Sequence, residues 1–195
     1  MAKKGSTKGK IAVVAWKLFR EKGYENTTID EIISHSGTSK GSFYHYYSSK
    51  DELLASLSEV FDAKYEEILQ TLDPDMNSYD KLLYLCFCVH QMIEEEIPVD
   101  LLSSLYASQV TTKGDKHLVN QNRFYYQVVN QLVDEGQRRG QITRELPYYE
   151  VAHLYTICER ALIYDYCISG GNYPLGEYTR KTMPLLFGTM RTINS

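Results

Sequence analysis

Cys86 and His90 are the residues of this chain that first suggest metal chemistry, because they lie four positions apart. Within a helix this spacing places both side chains on one face, where they could form one edge of a metal site. Two ligands do not complete a site, so we expect no bound metal. The chain also lacks GxSxG, Walker, HExxH and glycine-rich dinucleotide-binding motifs. We therefore expect neither enzymatic activity nor a cofactor.

The segment 38–50 carries side chains suited to a different chemistry, hydrogen bonding to a polyanion. Lys40, Ser42 and Tyr44 supply donors, and Gly41 would let the backbone approach a nucleic acid closely. Lys50 falls in the first turn of a predicted helix, where backbone N–H groups and the helix dipole favour a phosphate.

The charge distribution agrees with such a partner at one end of the chain. Residues 1–50 carry a net charge of +5, whereas the remaining residues carry −9. A basic end on an acidic body indicates that only that end meets a polyanion. Four lysines near the start could extend this surface along phosphates, or could belong to a plain solubilising tail; they are Lys3, Lys4, Lys8 and Lys10.

Two short helices joined by a tight turn would position these donors. Thr28 and Glu31 form a capping box that predicts the start of the first helix, and Gly37 predicts its end in a left-handed conformation. Ser39 would cap the second helix, whose Phe43 would point into a small core. A polar, basic second helix after a glycine-bearing turn is the helix-turn-helix pattern, in which that helix enters a DNA major groove.

The sequences GYENTTI at 23–29 and GTSKGSFYHYYSSKDEL at 37–53 closely resemble the amino-terminal DNA-binding domain of TetR-family transcription regulators. The resemblance covers about the first 60 residues by specific motifs. Ser36, Thr38 and Tyr47 replace the usual Ala, Val and Phe, which are mild changes that could shift DNA sequence preference. The resemblance implies phosphate contacts from Thr28, Tyr44 and Lys50, a place for His45 near the DNA backbone, close approach at Gly41, and base-edge or rim contacts from Thr38, Ser39, Lys40 and Ser42.

Helical patterns continue through the rest of the chain, which predicts an all-α fold of about nine helices. We expect a three-helix DNA-binding domain over 1–50 that extends into the start of helix 4, and an effector-binding and dimerisation domain over 51–195. Apolar spacing predicts a fourth helix over 50–71. The later helices are predicted at 77–96, 98–110, 115–138, 147–169 and 175–192.

The apolar runs are too short for a membrane-spanning helix, which takes about 18 or more apolar residues. No apolar signal segment follows the basic start. We therefore expect a cytoplasmic protein without a membrane partner. The four cysteines lie in apolar helical stretches and are expected to be buried in a reducing compartment, with a redox switch as the alternative; they are Cys86, Cys88, Cys158 and Cys167.

Tyrosines are unusually frequent in the body, where 11 of the 17 lie between Tyr84 and Tyr178. An apolar cavity with a few phenolic hydroxyls would suit a hydrophobic or aromatic small molecule. Tyrosines at helical spacing also occur as plain core residues. The residues predicted to line an effector site are Tyr84, Cys88, Met92, Tyr106, Tyr125, Tyr126 and Tyr155.

The last two predicted helices are apolar enough to meet a second copy of the chain, and the resembling family builds a four-helix bundle between subunits in this way. An entirely intramolecular core is the alternative. The residues predicted for the subunit interface are Val151, Leu154, Cys158, Leu162, Leu185 and Leu186.

Taken together, the sequence predicts a homodimeric, ligand-responsive transcription regulator that binds a palindromic double-stranded DNA operator. We expect it to be a repressor that an unknown small-molecule effector releases from DNA. Two other classes stay open: a small-molecule-binding enzyme with a vestigial DNA-binding head, and a helical adaptor that binds a protein partner.

Overall fold

A computed structural model of the chain describes residues 6–111, 113 and 116–192. Lys3 and Lys4 of the predicted basic arm lie outside these residues. In the described part the regular structure is helical, with one isolated β-bridge between Ile142 and Arg191. The all-α fold class is therefore confirmed. None of the described helices is both long enough and apolar enough to cross a membrane.

The described residues form ten α-helices and two short 3₁₀ helices. The first five α-helices are α1 (Thr7–Lys22), α2 (Ile29–Ser36), α3 (Lys40–Tyr46), α4 (Lys50–Ala55) and α5 (Leu57–Thr71). They are followed by α6 (Ser78–Glu96), α7 (Val99–Thr111), α8 (Phe124–Arg138), α9 (Tyr148–Ile168) and α10 (Leu175–Phe187). The 3₁₀ helices span His117–Val119 and Gly188–Met190.

Helix boundaries depart from the sequence prediction in three places. The predicted helix over 50–71 is interrupted at Ser56, whose hydroxyl donates to the Leu53 carbonyl at 2.6 Å while Ser58 donates to Ala55 at 2.8 Å. Such serine side chains compete with the helical hydrogen-bond ladder and bend or break helices. The helix predicted from residue 115 begins only at Phe124, and the last α-helix ends at Phe187 rather than near 192.

Unit 1, the first of two compact units, comprises the residues up to Ala63 together with Pro98–Val119. It is larger than the domain predicted over 1–50, because it also includes α4, α7 and the start of α5. Helix α1 packs against α2 and α3, and α4 packs against α7. Its core side chains are fully buried and apolar, including Ile11, Phe19, Ile32, Phe43, Leu53 and Leu102.

Unit 2, the second compact unit, comprises Lys64–Ile97 and the residues from Asn120 onward. Helix α6 packs against α8 and α10, and α9 packs against the same two helices. The rings of Tyr79 and Phe187 stack with centroids 5.6 Å apart. Close packing also reaches Gly136, where an added Cβ would lie 2.6 Å from Cδ1 of Ile142. The chain passes between the units three times, at 63/64, 97/98 and 119/120. The first passage lies within α5, which starts in unit 1 and ends in unit 2.

Candidate functional site

Helix α2 begins at the predicted capping box. The Thr28 hydroxyl accepts from the Glu31 N–H at 3.2 Å, and the Glu31 carboxylate accepts from the Thr28 N–H at 2.9 Å. Lys22 donates to the same carboxylate at 2.7 Å. This lysine and the Thr28 donors lower the pKa of Glu31 to about 2. The first helix of the motif therefore has a well-defined start.

The turn between α2 and α3 has the left-handed glycine that the sequence predicts. Gly37 adopts φ 63° and ψ 27°, which most side chains disfavour. The hydroxyls of Ser36 and Thr38 lie 2.8 Å apart within the turn. These local interactions determine the direction in which α3 leaves the turn.

Helix α3 presents its polar side to solvent. Ser39 caps it by accepting from the Ser42 N–H at 3.0 Å, while Phe43 is completely buried and anchors the opposite side. Tyr44 is 48% exposed. Thr38 and Ser42 are half-buried, and the remaining predicted residues of the surface, Ser39, Lys40, Gly41 and His45, are exposed.

Hydrogen bonds within the protein orient several of the predicted DNA-binding hydroxyls. Thr28 serves the capping box, and the hydroxyls of Ser39 and Ser42 lie 3.0 Å apart. Lys40 makes a long, exposed ion pair with Asp30 at 3.8 Å, which contributes little to stability. The Lys40 ammonium can therefore exchange this carboxylate for a nucleic-acid acceptor at little cost.

Lys50 has a structural partner that the sequence did not reveal. Its ammonium donates to the carbonyls of Tyr24 and Thr27 at 2.8 and 3.1 Å and lies 4.2 Å from the centre of the Tyr24 ring. The Tyr24 hydroxyl donates to Asp51, and burial together with Asp51 raises the pKa of Tyr24 above its usual range. Two of the three Lys50 N–H donors therefore hold the loop before α2.

The residues predicted to line an effector site differ in burial and are divided between the two compact units. Tyr125, Tyr126, Tyr155 and Met92 are buried in unit 2, and the first two rings are in edge contact at 4.9 Å. Tyr84 is 44% exposed and its predicted companion Cys88 is only half-buried. Tyr106 belongs to unit 1.

A groove between α6 and α10 has a volume of about 150 Å³ and is lined in part by Tyr84. Its lining is mainly apolar but includes one guanidinium group; the lining residues are Leu83, Tyr84, Phe87, Thr179, Arg180, Met183 and Pro184.

Sequence reasoning missed a buried polar cluster centred on Glu159. Its two carboxylate oxygens accept from the hydroxyls of Tyr65 and Tyr125, and burial raises the pKa of this carboxyl. Tyr155, Glu159, Leu162 and Tyr166 recur at helical spacing along α9 and all are buried. That spacing was the available signal, because it places a carboxylate within an apolar stripe.

The predicted subunit-interface residues fall into two groups. Val151, Cys158 and Leu162 are buried in unit 2, so the prediction used the wrong face of α9 for them; a face filled by the chain's own core has no surface left for a partner. Leu154 is half-buried, whereas Leu185 and Leu186 are 81% and 45% exposed. The large apolar side chains that α9 and α10 expose are Tyr148, Tyr149, Ile157, Tyr164, Ile168, Tyr178, Leu185 and Leu186.

Comparison with known proteins identifies relatives of both the head and the whole fold. Residues 11–57 match the sequence model of the family described as bacterial regulatory proteins, tetR family. The HTH-type transcriptional repressor KstR2 of Mycobacterium tuberculosis is 26% identical over 152 residues, which cover 73% of this chain and 74% of that protein.

Two solved structures share the fold over nearly the full chain. The TetR-family transcriptional repressor FadR of Thermus thermophilus, in complex with lauroyl-CoA, has a TM-score of 0.75 and 18% identity, with 96% of this chain and 97% of that chain covered. FadR of Bacillus subtilis, in complex with stearoyl-CoA, has a TM-score of 0.71 and 16% identity, with 93% and 98% covered. These matches confirm a helix-turn-helix head joined to a helical body.

Proposed function

We propose that this chain, which is a TetR-family transcriptional regulator, acts as a homodimeric repressor that a small-molecule effector releases from a palindromic operator. The observation that carries the proposal is the outward polar side of α3, held in place by Gly37, Ser39 and the buried Phe43. A protein of this kind works on DNA in the cytoplasm and needs no enzymatic step.

The proposed DNA contacts divide by their chemistry. Lys40, Ser42 and Thr38 are assigned to base edges or their rim, where donors and acceptors discriminate between base pairs. Thr28, Tyr44 and Lys50 are assigned to phosphates, with His45 close to the DNA backbone, and Gly41 allows the approach of α3. Phosphate contacts set affinity and its salt dependence, whereas base contacts set sequence choice.

The dimer proposal is supported by the exposed apolar residues of α9 and α10. Ile157, Tyr164 and Ile168 recur at helical spacing on α9, and Leu185 is the most exposed large apolar side chain of α10. An isologous contact through these residues would give two recognition helices, and a helix-turn-helix dimer must place them about 34–36 Å apart to reach successive major grooves. We therefore propose this face in place of Val151, Cys158 and Leu162.

The effector proposed is a hydrophobic or aromatic molecule bound in unit 2. Tyr125 and Tyr126 provide buried rings, and Arg160 donates to the Tyr126 hydroxyl at 2.9 Å. The Arg123 guanidinium lies 5.6 Å from the centre of the Tyr125 ring. Aromatic surface beside two cations suits an amphipathic ligand with an anionic group. Acyl-CoA thioesters are the first candidates, because two proteins of similar fold are complexed with them.

The release mechanism proposed is a population shift carried by α5, which starts in unit 1 and ends in unit 2. The effector favours a placement of α5 in which the two heads no longer match adjacent major grooves. It can do so only to the extent that it binds the two states with different affinity.

The test of DNA recognition is selection of bound sequences from a random duplex pool, followed by fluorescence anisotropy on the selected site and on scrambled DNA. Replacing Lys40 or Ser42 by Ala is expected to cost about 1–3 kcal/mol on the selected site for each lost base contact and less on scrambled DNA. Lys17→Ala is the matched control, because this lysine is also exposed and weakly paired.

Three outcomes would contradict parts of this proposal. Equal losses on both DNAs would assign Lys40 and Ser42 to phosphate binding. If the protein binds no double-stranded DNA at low salt and forms a stable complex with another protein, the adaptor function would be favoured. Selected DNA whose affinity is unchanged by any acyl-CoA, free fatty acid or aromatic acid tested would remove the proposed effector class.

A further inference from the structure

Three side chains with metal-binding atoms meet inside unit 2. Cys86 and His90 lie on α6, and Glu159 lies on α9. The Cys86 sulfur is 3.9 Å from Nε2 of His90, and that nitrogen is 3.8 Å from a carboxylate oxygen of Glu159. All three donor atoms lie within 4.8 Å of one another, and all three residues are buried. The third ligand, which the spacing of Cys86 and His90 alone could not supply, thus comes from another helix.

The His90 ring is oriented by a hydrogen-bond partner on α10. Its Nδ1 lies 2.6 Å from the hydroxyl oxygen of Thr179. If Nδ1–H donates to Thr179, Nε2 directs its lone pair toward Cys86 and Glu159. An outer hydrogen bond of this kind is the usual way in which proteins orient a metal-binding histidine.

The charge of the cluster also favours a cation. The hydroxyls of Tyr65 and Tyr125 both donate to the Glu159 carboxylate, which stabilises its ionised form. An uncompensated charge on Cys86 or Glu159 is costly in the buried interior. A divalent ion would offset one thiolate and one carboxylate, leaving the buried group without net charge.

We propose that Cys86, His90 and Glu159 bind a divalent transition-metal ion of the zinc class through Sγ, Nε2 and a carboxylate oxygen. Metal–sulfur, metal–nitrogen and metal–oxygen bonds of about 2.3, 2.0 and 2.1 Å in a tetrahedron place the donors about 3.4–3.6 Å apart. The sulfur–nitrogen and nitrogen–oxygen separations exceed this range by a few tenths of an ångström. The third separation, which is within 4.8 Å, would close by rotation of the Cys86 and Glu159 side chains. A thiolate–imidazole–carboxylate set selects zinc or cobalt over magnesium or calcium.

Binding exchanges one bond for another without a change of oxidation state. The Cys86 S–H bond breaks, its proton passes to solvent, and the thiolate forms the bond to the metal. Three protein ligands leave the fourth tetrahedral position to water. The site would tie α6 to α9, and its outer hydrogen bonds come from α5, α8 and α10 through Tyr65, Tyr125 and Thr179.

The first experiment is equilibrium dialysis of the full chain against Zn²⁺ after removal of metals by a chelator and reduction of the thiols. The expected result is one Zn²⁺ per chain and a higher Tm with excess metal, because a ligand that binds only the folded state stabilises it. Co²⁺ should give the visible bands of tetrahedral cobalt and a thiolate charge-transfer band. A substoichiometric metal content, or Co²⁺ binding without the thiolate band, would overturn the proposal and leave a metal-free polar network.

Variants identify the ligands, with a neighbouring cysteine as the control. Cys86→Ser should abolish the thiolate band and the zinc-dependent rise in Tm, whereas Cys88→Ser, on the same helix but half-buried, should retain both. Loss of the band in both variants, or in neither, contradicts the assignment.

Thr179→Val tests the positioning role and avoids removing a ligand. It keeps the shape of the side chain, removes the partner of His90, and should weaken zinc binding about ten- to a hundredfold. Unchanged affinity in a folded Thr179→Val protein would contradict this role. If Cys86→Ser does not fold, Thr179→Val and the cobalt spectrum of the unmodified chain decide the question.

The metal site does not depend on the proposed repressor function. Metal content and spectra are measured without DNA, so failure of either proposal is recognised separately.

Discussion

Helix α3 and the interior of unit 2 are both rich in polar side chains, but the two regions use them in opposite ways. On α3 the hydroxyl and ammonium groups are exposed, and their partners are near in sequence, such as Ser39 and Ser42. In unit 2 His90 and Glu159 are buried, and their partners come from distant helices. Exposed groups can replace hydrogen bonds to water by hydrogen bonds to a ligand. Buried groups must hydrogen-bond to one another, because a buried polar atom without a partner lowers the free energy of unfolding. A binding surface and a structural or ligand-holding interior are therefore distinguishable by burial even when their residue types overlap.

The largest expected effect comes from removing the carboxylate at the centre of unit 2. Glu159→Ala leaves the buried hydroxyls of Tyr65 and Tyr125 without their acceptor, at about 1–3 kcal/mol each. We expect the free energy of unfolding, measured with urea in the presence of a chelator, to fall by about 2–5 kcal/mol. Glu31→Ala in the head should lower it much less, because water can replace the exposed Glu31 carboxylate as acceptor for the Thr28 N–H. Equal costs at the two positions would remove the distinction drawn between the regions.

Two glycines extend the comparison from side chains to backbone. Gly136→Ala places a Cβ 2.6 Å from buried Ile142, and overpacking of this kind costs about 1–3 kcal/mol. At Gly41 the nearest atom to an added Cβ is 3.9 Å away, so Gly41→Ala should leave stability unchanged or raise it by less than about 1 kcal/mol.

The same Gly41→Ala variant should weaken DNA binding about tenfold, or 1.4 kcal/mol, because the methyl group would meet the duplex. Thermal unfolding and anisotropy on one preparation separate the two effects. Wild-type DNA affinity for Gly41→Ala would show that α3 does not approach DNA at this position.

The Ser39 cap of α3 should make a moderate contribution to the free energy of unfolding. Ser39→Ala removes the acceptor for the Ser42 N–H and is expected to lower the free energy of unfolding by about 1 kcal/mol. Ser34→Ala, at an exposed position within α2, serves as the control and should change stability by less than about 0.5 kcal/mol. Matching losses in urea titrations of the two variants would argue against the capping role.

The smallest expected effect is a pH dependence at the exposed capping box. Because the pKa of Glu31 is lowered to about 2 by Lys22 and Thr28, the folded state binds its proton less tightly than the unfolded state does. The stabilisation is present above the ordinary glutamate pKa and is lost as the pH falls toward 2. Glu31→Gln should therefore flatten the acid side of the Tm–pH curve relative to Glu25→Gln, an exposed carboxylate outside the capping box. Superimposable curves for the two variants would contradict this assignment.

The helix-turn-helix could be predicted from the sequence because its determinants are local. The capping box spans four residues, Gly37 needs no distant partner for its left-handed conformation, and Ser39 caps its own helix. The all-helical class of the body was likewise readable from apolar spacing. The break at Ser56 was not, since hydroxyl competition with the helical ladder depends on which hydrogen bond a serine makes.

The interior of unit 2 was decided by tertiary structure alone. Tyr65 and Glu159 are 94 residues apart, and His90 and Thr179 are 89 apart. Helical spacing indicates which side of a helix is apolar, but it does not indicate which residue of another helix faces a given side chain. For that reason the sequence predicted Cys86 and His90 as a metal edge but not the third residue. It also predicted Val151 and Leu162 for a subunit interface, although both are buried in the core of unit 2. The prediction of a phosphate contact for Lys50 did not include its hydrogen bonds to the Tyr24 and Thr27 carbonyls. Local hydrogen bonds and backbone conformations depend on residues that are close in sequence and can be predicted from it. Contacts between side chains that are distant in sequence depend on how the helices pack.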